Sequence, residues 1–276
     1  MKKRIISITV FILIFAALSG LLLYLDNTIV TLTKISVTSD KLPESFNGFR
    51  IAQVSDLHNA SFGADNKRLL NVLKESDPDI IVITGDIIDA SRTDADIALA
   101  FVKDALNIAP VYYVTGNHEA RAKMEYEKLK TQMTASGAVV LANGKTYIER
   151  QGETIALAGV NDMSFSSSSE KYTEQFASLI DDSNTYNILL AHRPEYFSLY
   201  SSCGFDIAFT GHAHGGQIRL PFIGGLFAPG QGVLPKYDAG LYTDGNFNMI
   251  VSRGLGNSVF PLRVNNFPEV ILAVLN

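Results

Sequence analysis

The five histidines of this chain all stand in short motifs that could bind or serve a metal ion. The motifs are D-L-H, G-N-H-E, L-A-H-R and G-H-A-H, and they contain His58, His118, His192, His212 and His214. Two carboxylates and one amide occupy comparable positions, namely Asp56, Asp86 and Asn117. Imidazole and carboxylate ligands together suit Zn²⁺, Fe, Mn²⁺ or Co²⁺, and they are a poor match for Mg²⁺ or Ca²⁺ alone. The residue types therefore predict a metalloenzyme.

The elements that must position these side chains are short apolar strands. The sequence predicts strands at residues 50–54, 80–83, 111–114, 187–190 and 206–209. Amphipathic helices are predicted between or after the first three strands, at residues 66–75, 94–106 and 121–136. Strands that alternate with helices predict an α/β domain with a mainly parallel central sheet.

Each of the five predicted strands is followed, within a few residues, by one or two of the eight polar side chains. Because ligands of α/β sheets bind beyond the carboxyl ends of the strands, we expect the eight to meet at one edge. Without His118, seven candidate ligands remain, too many for one tetrahedral site but suited to two adjacent metals that share a carboxylate. Alone, each motif has an ordinary alternative, such as a helix cap for Asp86 or a turn residue for Asn117.

The ordered set D-x-H, G-D, G-N-H-E, an isolated H and G-H-x-H resembles the calcineurin-like metallophosphoesterases. The resemblance spans about residues 50–215. G-G-Q-I-R-L-P at 215–221 and S-R-G-L-G-N-S at 252–258 are similar to the membrane-associated bacterial branch named after YkuE and YaeI. The resemblance implies a four-layer α+β fold, in which a β-sandwich of two mixed sheets is flanked by helices. It also implies a dinuclear metal site at the carboxyl ends of the strands.

The resemblance implies a role for each candidate ligand toward two divalent metal ions, which would be Mn, Zn or Fe. The ligands of the first metal would be Asp56, His58 and His214. The carboxylate of Asp86 would bridge the two metals. The ligands of the second metal would be Asn117, His192 and His212. A hydroxide between the metals would attack phosphorus in line, and no covalent enzyme intermediate would be needed.

Two further residues have implied catalytic roles. His118 would face the leaving-group oxygen as a general acid or stabilise charge there, and Asp89 would hold the His118 ring by its other nitrogen. The family's phosphoprotein phosphatases have Arg-Gly after that aspartate, whereas Ala90 and Ser91 stand here, so a protein-phosphatase activity is disfavoured. Arg253 fits either a phosphate contact or a salt bridge.

The N-terminal segment differs from the rest of the chain. Residues 1–4 are short and basic, and residues 5–25 contain no charge. A helix over that uncharged stretch is about 31 Å long, which is enough to cross a hydrocarbon core of about 30 Å. A cleaved signal peptide is the alternative, but its apolar core is usually about 7–15 residues long and ends at a small-x-small site. The sequence favours an uncleaved signal-anchor, with its basic residues in the cytoplasm and the rest of the chain outside.

Charge and cysteine content exclude some classes of protein. The chain of 276 residues has 23 basic and 28 acidic residues, and three of the basic ones lie in the N-terminal segment. The remainder is therefore more acidic than the whole chain, whose net charge is −5, which argues against nucleic-acid binding. The single cysteine, Cys203, excludes an internal disulfide framework.

These observations predict a signal-anchor over residues 1–25, a stalk or linker over 26–46, and one catalytic domain over 47–276. The chain would be a single-pass protein of the cell membrane with an extracytoplasmic catalytic domain. Its expected substrate is a phosphodiester or pyrophosphate, with a glycolipid, a phospholipid or another cell-envelope ester as examples; no protein partner is predicted. Two alternatives stay open: a phosphomonoesterase or nucleotidase on the same fold, and a non-catalytic metal-binding envelope protein.

Overall fold

A computed structural model describes residues 2–180, 184–257 and 260–276. Its helices are α1 (Lys2–Thr28), α2 (Lys67–Ser76), α3 (Ala95–Leu106), α4 (Asn117–Arg121), α5 (Lys123–Ala135), α6 (Ser169–Ala177) and α7 (Phe197–Cys203). Helix α3 begins and ends where the sequence predicts, and the side chain of its N-cap, Asp94, accepts a hydrogen bond from the Asp96 amide at 3.1 Å.

Two six-stranded sheets carry the fold. The first contains, in spatial order, β1 (Thr31–Val37), β16 (Glu269–Leu275), β2 (Phe49–Val54), β3 (Ile80–Thr84), β4 (Val111–Val114) and β5 (Val139–Val140). The second contains β14 (Gly240–Asp244), β15 (Phe247–Val251), β9 (Ile207–Thr210), β8 (Asn187–Leu190), β7 (Glu153–Gly159) and β6 (Gly144–Arg150). Two short hairpins, β10 (Arg219–Leu220) with β11 (Gly224–Gly225) and β12 (Phe227–Ala228) with β13 (Gly232–Val233), follow β9.

Both sheets are mixed. In the first sheet β2, β3, β4 and β5 pair in parallel, while β16 pairs antiparallel with β2. In the second sheet β7, β8, β9 and β15 pair in parallel, while β6 and β14 are antiparallel edge strands. The pairing confirms the two mixed sheets implied by the resemblance. The single central sheet predicted from strand–helix alternation was wrong, because the alternation shows where each strand and helix lies in the sequence but not which strands share a sheet.

The sheets form a sandwich with helices outside. One apolar core contains Val82 and Val114 of the first sheet together with Leu157, Ile188 and Phe209 of the second. Because side chains alternate along a strand, the neighbouring positions of the same strands point to the opposite faces. There the first sheet shares a core with α2, α3 and α5, and the second shares one with α6 and α7. The order of layers is therefore helix, sheet, sheet, helix, and the strands read as continuous apolar runs.

The segment over residues 26–46 is part of the fold, so the predicted linker was wrong there. Strand β1 pairs in parallel with β16 over seven residues as the edge of the first sheet. The Phe46 side chain is fully buried in the core between the sheets. The alternation of polar and apolar residues over 33–37 is that of an edge strand with one exposed face.

Helix α1 contains a stretch of 23 residues, Ile6–Thr28, that is long and apolar enough to cross a membrane. No residue of its most apolar 18-residue part is buried. Its C-terminal end is attached to the domain. The side chain of Asn27 donates to the Arg263 carbonyl and accepts from the Arg263 amide, each at 3.0 Å. The Asp26 carboxylate accepts from the Asn265 amide at 2.5 Å.

Candidate metal centre

The strand ends bring all eight polar side chains to one edge of the sandwich. The first sheet contributes five: Asp56 and His58 after β2, Asp86 after β3, and Asn117 and His118 after β4. The second sheet contributes three: His192 after β8, and His212 and His214 after β9. All eight are buried, with at most 8% of any residue exposed. The predicted convergence is confirmed, and the edge involves both sheets.

The backbone at this edge is held in conformations that most residues avoid. Asp56, His58, Asp86, His212 and His214 all have positive φ angles, between 48° and 62°. A left-handed residue that is not glycine costs roughly 1–2 kcal/mol. Such clustered strain is typical of functional sites, where the surrounding structure fixes the side-chain directions.

The glycines of the motifs allow close approach between the loops. Gly85 has a φ of 91°, and a Cβ there would lie 2.5 Å from the Gly116 amide nitrogen and 2.7 Å from Nδ1 of His192. A Cβ on Gly116 would collide with the Asp86 carboxylate. The glycines in G-D and G-N-H are therefore required by packing around the candidate ligands.

One group of donor atoms surrounds a point between Asp56, His58 and His214. Nε2 of His58 and Nε2 of His214 lie 3.3 Å apart, and Nε2 of His214 lies 3.4 Å from Oδ1 of Asp56. Nε2 of His58 also lies 3.7 Å from Oδ2 of Asp86. These are the residues that the resemblance assigns to the first metal and to the bridge.

A second group shares the same oxygen of Asp86. Oδ2 of Asp86 lies 3.2 Å from Nε2 of His192, which lies 3.3 Å from Oδ1 of Asn117 and 3.1 Å from Nδ1 of His212. The other oxygen of Asp86, Oδ1, accepts a hydrogen bond from the His118 amide at 2.7 Å. Asp86 therefore presents one free carboxylate oxygen to both groups.

The donor set fits two divalent cations. A neutral imidazole has one donor and one acceptor nitrogen, so several ring nitrogens and carboxylate oxygens cannot all satisfy one another. Within each of two trios, Asp56–His58–His214 and Asp86–His192–His212, one ligand atom per residue lies within 4.8 Å of the others. The Nδ1 atom of His192 contacts the Thr84 carbonyl at 2.8 Å, which leaves its Nε2 lone pair for a cation.

Burial and charge set the protonation of these groups in the absence of metal. Burial lowers the pKa of His58 to about 4, against the attraction of Asp86, and it lowers the pKa of His214 well below the usual range. Burial alone would raise the pKa of Asp86, but the charge and hydrogen bond of His192 outweigh it and hold that pKa well below its usual value. Burial and the neighbouring Asp86 charge raise the pKa of Asp56 to about 6, against the charge of His192.

His118 is oriented by a backbone amide. Its Nδ1 accepts a hydrogen bond from the Ala90 amide at 3.0 Å, so the proton of the neutral ring lies on Nε2. Asp89 was predicted to hold this ring, but its Oδ1 lies 3.7 Å from Nδ1, beyond hydrogen-bond distance. That oxygen instead accepts from the amide and hydroxyl of Ser91, at 2.8 and 2.6 Å.

Glu119, the last residue of G-N-H-E, holds the loops of the site together. Its fully buried carboxylate accepts hydrogen bonds from the amides of Gly116, Asp86, Ile87 and Ile88, at distances of 2.7 to 3.3 Å. Burial and the like charge of Asp86 raise the pKa of Glu119 to about 7. The signal was present in G-N-H-E, because a glutamate three residues after an N-cap can accept a hydrogen bond from the N-cap amide.

Two cavities meet at His118. One, of about 240 Å³, is lined by candidate ligands together with Arg121, Arg193, Pro229 and Gly230. The other, of about 600 Å³, is lined by Asp89, Ala90, Ser91, Arg92, His118, Arg121 and Pro261. Arg193 is held by Asp162 at 2.7 Å, whereas Arg253 pairs with Glu269 at 2.7 Å, so the salt-bridge alternative for Arg253 is correct.

The family model described as calcineurin-like phosphoesterase matches residues 49–216. The chain belongs to this family. It is therefore a metal-dependent phosphoric ester hydrolase, and the predicted family, branch and enzyme class are confirmed.

The relatives extend beyond the family model. The chain is 32% identical to the uncharacterized metallophosphoesterase YkuE of Bacillus subtilis, over 91% of this chain and 87% of that protein. It is 28% identical to the phosphodiesterase YaeI of Escherichia coli, over 82% of each chain. It is 27% identical to a Danio rerio protein called a transmembrane protein with metallophosphoesterase domain, over 87% of this chain and 56% of that protein. The fold is similar to TT1561 of Thermus thermophilus, with a TM-score of 0.52 and 12% identity over 76% of this chain and 91% of that one.

Proposed function

We propose that this protein is a membrane-anchored phosphoesterase that binds two divalent metal ions and hydrolyses a phosphodiester or pyrophosphate bond in the cell envelope. The observation that carries the proposal is the position of Asp86, whose Oδ2 lies between two groups of donor atoms while its Oδ1 accepts a hydrogen bond from the His118 amide. The proposed ligands are the seven residues named from the sequence: Asp56, His58, Asp86, Asn117, His192, His212 and His214.

Two divalent ions in such a site supply a water that is activated near neutral pH and positive charge that neutralises phosphoryl oxygens. The protein's own groups then complete the reaction. Nε2–H of His118 donates a hydrogen bond to the leaving-group oxygen and stabilises the negative charge that develops there, and the Ala90 amide holds the ring with its proton on that nitrogen. Arg121 lines both cavities at His118 and adds positive charge where an anionic ester would lie.

The donor chemistry favours Mn, Zn or Fe. Four imidazoles, two carboxylates and one amide form a mixed nitrogen and oxygen set, which is typical of these metals. Structural zinc sites are usually closed and rich in cysteine, whereas this set contains no thiol and faces a cavity. These features support a catalytic site and argue against a metal that only stabilises the fold.

Membrane attachment is supported by α1 and by the names of relatives. The apolar stretch Ile6–Thr28 is exposed to its surroundings, and a relative is named a transmembrane protein. Basic residues precede this stretch, so the positive-inside rule favours a single-pass protein of the cell membrane with its catalytic domain outside. The name phosphodiesterase given to a second relative supports a diester substrate.

The test is hydrolysis of bis-p-nitrophenyl phosphate by the full chain in detergent with Mn²⁺ or Zn²⁺. We expect Asp86→Asn to lower kcat/KM by about 10³-fold, since charge stabilisation at the reacting phosphoryl group is lost. Asp94→Asn is the matched control, because asparagine caps a helix as well as aspartate does and Asp94 lies outside the site. Wild-type turnover by Asp86→Asn would overturn the mechanism.

The same assay separates the alternatives. Faster hydrolysis of p-nitrophenyl phosphate than of the bis ester would indicate a phosphomonoesterase or nucleotidase. Bound metal without turnover of either ester would indicate a non-catalytic metal-binding protein.

A further inference from the structure

Large apolar side chains stand exposed on the loops next to the candidate metal centre. The turn between β10 and β11 exposes Phe222 completely and Ile223 to 61%. We use the name apolar rim for these two residues and the other exposed apolar side chains of the same loops: Leu220, Phe227, Val233, Leu234, Phe260 and Leu262. Scattered exposed apolar residues are normal, but the two hairpins that carry most of these lie side by side, since the Leu226 amide donates to the Ile218 carbonyl and the Leu234 amide to the Leu226 carbonyl, each at 2.9 Å. Exposed apolar residues on adjoining segments mark an interaction surface.

Hydrogen bonds connect the apolar rim to the end of α1. Ile218 forms a β-bridge with Val264, and the Arg219 amide donates to the Val264 carbonyl at 3.0 Å. Arg263 and Asn265, on either side of Val264, bond to the last turn of α1 through Asn27 and Asp26. The segment that leads to Phe222 and Ile223 is therefore hydrogen-bonded to the residues that hold the end of the apolar helix.

We propose that the apolar rim inserts into the surface of the lipid bilayer that holds α1. This inference rests on the proposed membrane attachment and extends it from the helix to the catalytic domain. A helix that leaves the membrane at Thr28 brings the adjoining loops to the bilayer surface, and phenylalanine, leucine and isoleucine side chains gain from leaving water there. Lys236 lies over the Tyr237 ring at 4.9 Å and adds a cation beside the rim.

The position of the rim bears on the substrate. Pro261, between Phe260 and Leu262, lines the larger cavity at His118, and Pro229 and Gly230, between Phe227 and Val233, line the smaller one. Both cavities are therefore bordered by loops of the rim. A docked rim places their openings at the headgroup layer, so the substrate class is a phosphoester carried by a lipid, with its phosphate near His118 and Arg121.

Tryptophan fluorescence can test the docking, because the chain contains no tryptophan. Full-length Phe222→Trp is placed in nanodiscs that contain one copy of the chain and lipids brominated on the acyl chains. We expect strong quenching and a blue-shifted emission for Phe222→Trp. Because each nanodisc holds one copy, contact with the rim of a second copy cannot cause the blue shift. Unquenched, red-shifted emission would overturn the proposal.

Two further variants give the reference values. Leu18→Trp, in the middle of the apolar stretch of α1, is expected to be quenched strongly if the helix spans the bilayer. Val139→Trp lies on β5, five strand positions or about 24 Å from β1, and is expected to show no quenching. If Leu18→Trp is quenched and Phe222→Trp is not, the insertion of the rim is refuted and the membrane attachment stands. If neither variant is quenched, the membrane attachment in the proposed function is refuted.

A second measurement concerns catalysis. The double variant Phe222→Ser and Ile223→Ser should hydrolyse bis-p-nitrophenyl phosphate like wild type, because neither side chain lines the cavities at His118. On a phosphatidylglycerol-type phosphodiester in vesicles, we expect at least a fivefold loss for the double variant. Equal losses on both substrates, or none on the vesicle substrate, would contradict a role of the rim in presenting lipid substrates.

Discussion

The candidate metal centre and the apolar rim depart from ordinary burial in opposite directions. At the metal centre, eight polar or charged residues are buried at the edge of the sandwich. On the rim, a few residues away along the same loops, Phe222 and Val233 are exposed to water by 75% or more. Buried polar groups without partners and exposed apolar groups in one patch are both costly for an isolated folded domain.

The difference shows what each region is missing. The buried imidazoles present nitrogen lone pairs and the buried carboxylates carry negative charge, and divalent cations would satisfy both. The rim lacks an apolar environment, which a bilayer provides. Each region is therefore understood as half of an interface, one with metal ions and the other with lipid, and the two meet at the cavities around His118.

The largest expected effect concerns His118 within the metal centre. His118→Ala should lower kcat on bis-p-nitrophenyl phosphate by about 10² to 10³-fold, the usual contribution of one hydrogen-bond donor to developing negative charge. The metal content of the purified variant, measured by mass spectrometry, should equal that of wild type. His118 lies close enough to His58 and Asp86 to be a ligand by distance alone, so the measurement is decisive. Loss of one metal ion, as expected for His58→Ala, would reassign His118 as a ligand.

The second prediction concerns how the metal centre is held in place. Glu119→Ala removes the acceptor of four buried amides, and each unsatisfied group costs about 1–3 kcal/mol. We expect a loss of at least 3 kcal/mol, seen as a fall in Tm of roughly 6–12 °C by circular dichroism in detergent. The control is Glu127→Ala on α5, whose side chain is 55% exposed and should change stability by less than about 0.5 kcal/mol. Equal Tm values for the two variants would contradict the role of Glu119.

The sequence predicts the metal centre well because its signal is local. Each motif follows directly after an apolar strand, so parallel strand order is enough to bring Asp56 and Asp86 together on the first sheet and His192 and His212 together on the second. The hydrogen bond from the Ala90 amide to His118 was missed, because a backbone donor has no signature in residue types. Asp89, which has a suitable side chain, was chosen instead and bonds to Ser91.

The number of sheets and the rim depend on contacts between distant residues. Strand β1 pairs with β16 at the other end of the chain, so the local sequence could not show that residues 31–37 form the edge of the first sheet. Phe222 and Ile223 lie among glycines and prolines and read as ordinary loop residues, because the sequence does not say which apolar side chains remain exposed. Three-dimensional packing alone separates Phe222 from Phe209, which is fully buried.

The smallest expected effect tests the difference between the exposed Phe222 and the buried Phe209. Phe222→Ser combined with Ile223→Ser should change the stability of the domain by less than about 0.5 kcal/mol, since neither side chain is buried against the protein. Phe209→Ala, in the core between the sheets, should cost about 3–5 kcal/mol, because it leaves a cavity. Thermal unfolding of both variants in the same detergent makes the comparison. A loss in the rim variant that approaches the core variant would mean that the rim is packed within the fold, and no surface would remain for the bilayer. A negligible loss means that these apolar residues do nothing for folding, so their presence has to be explained by a partner outside the domain.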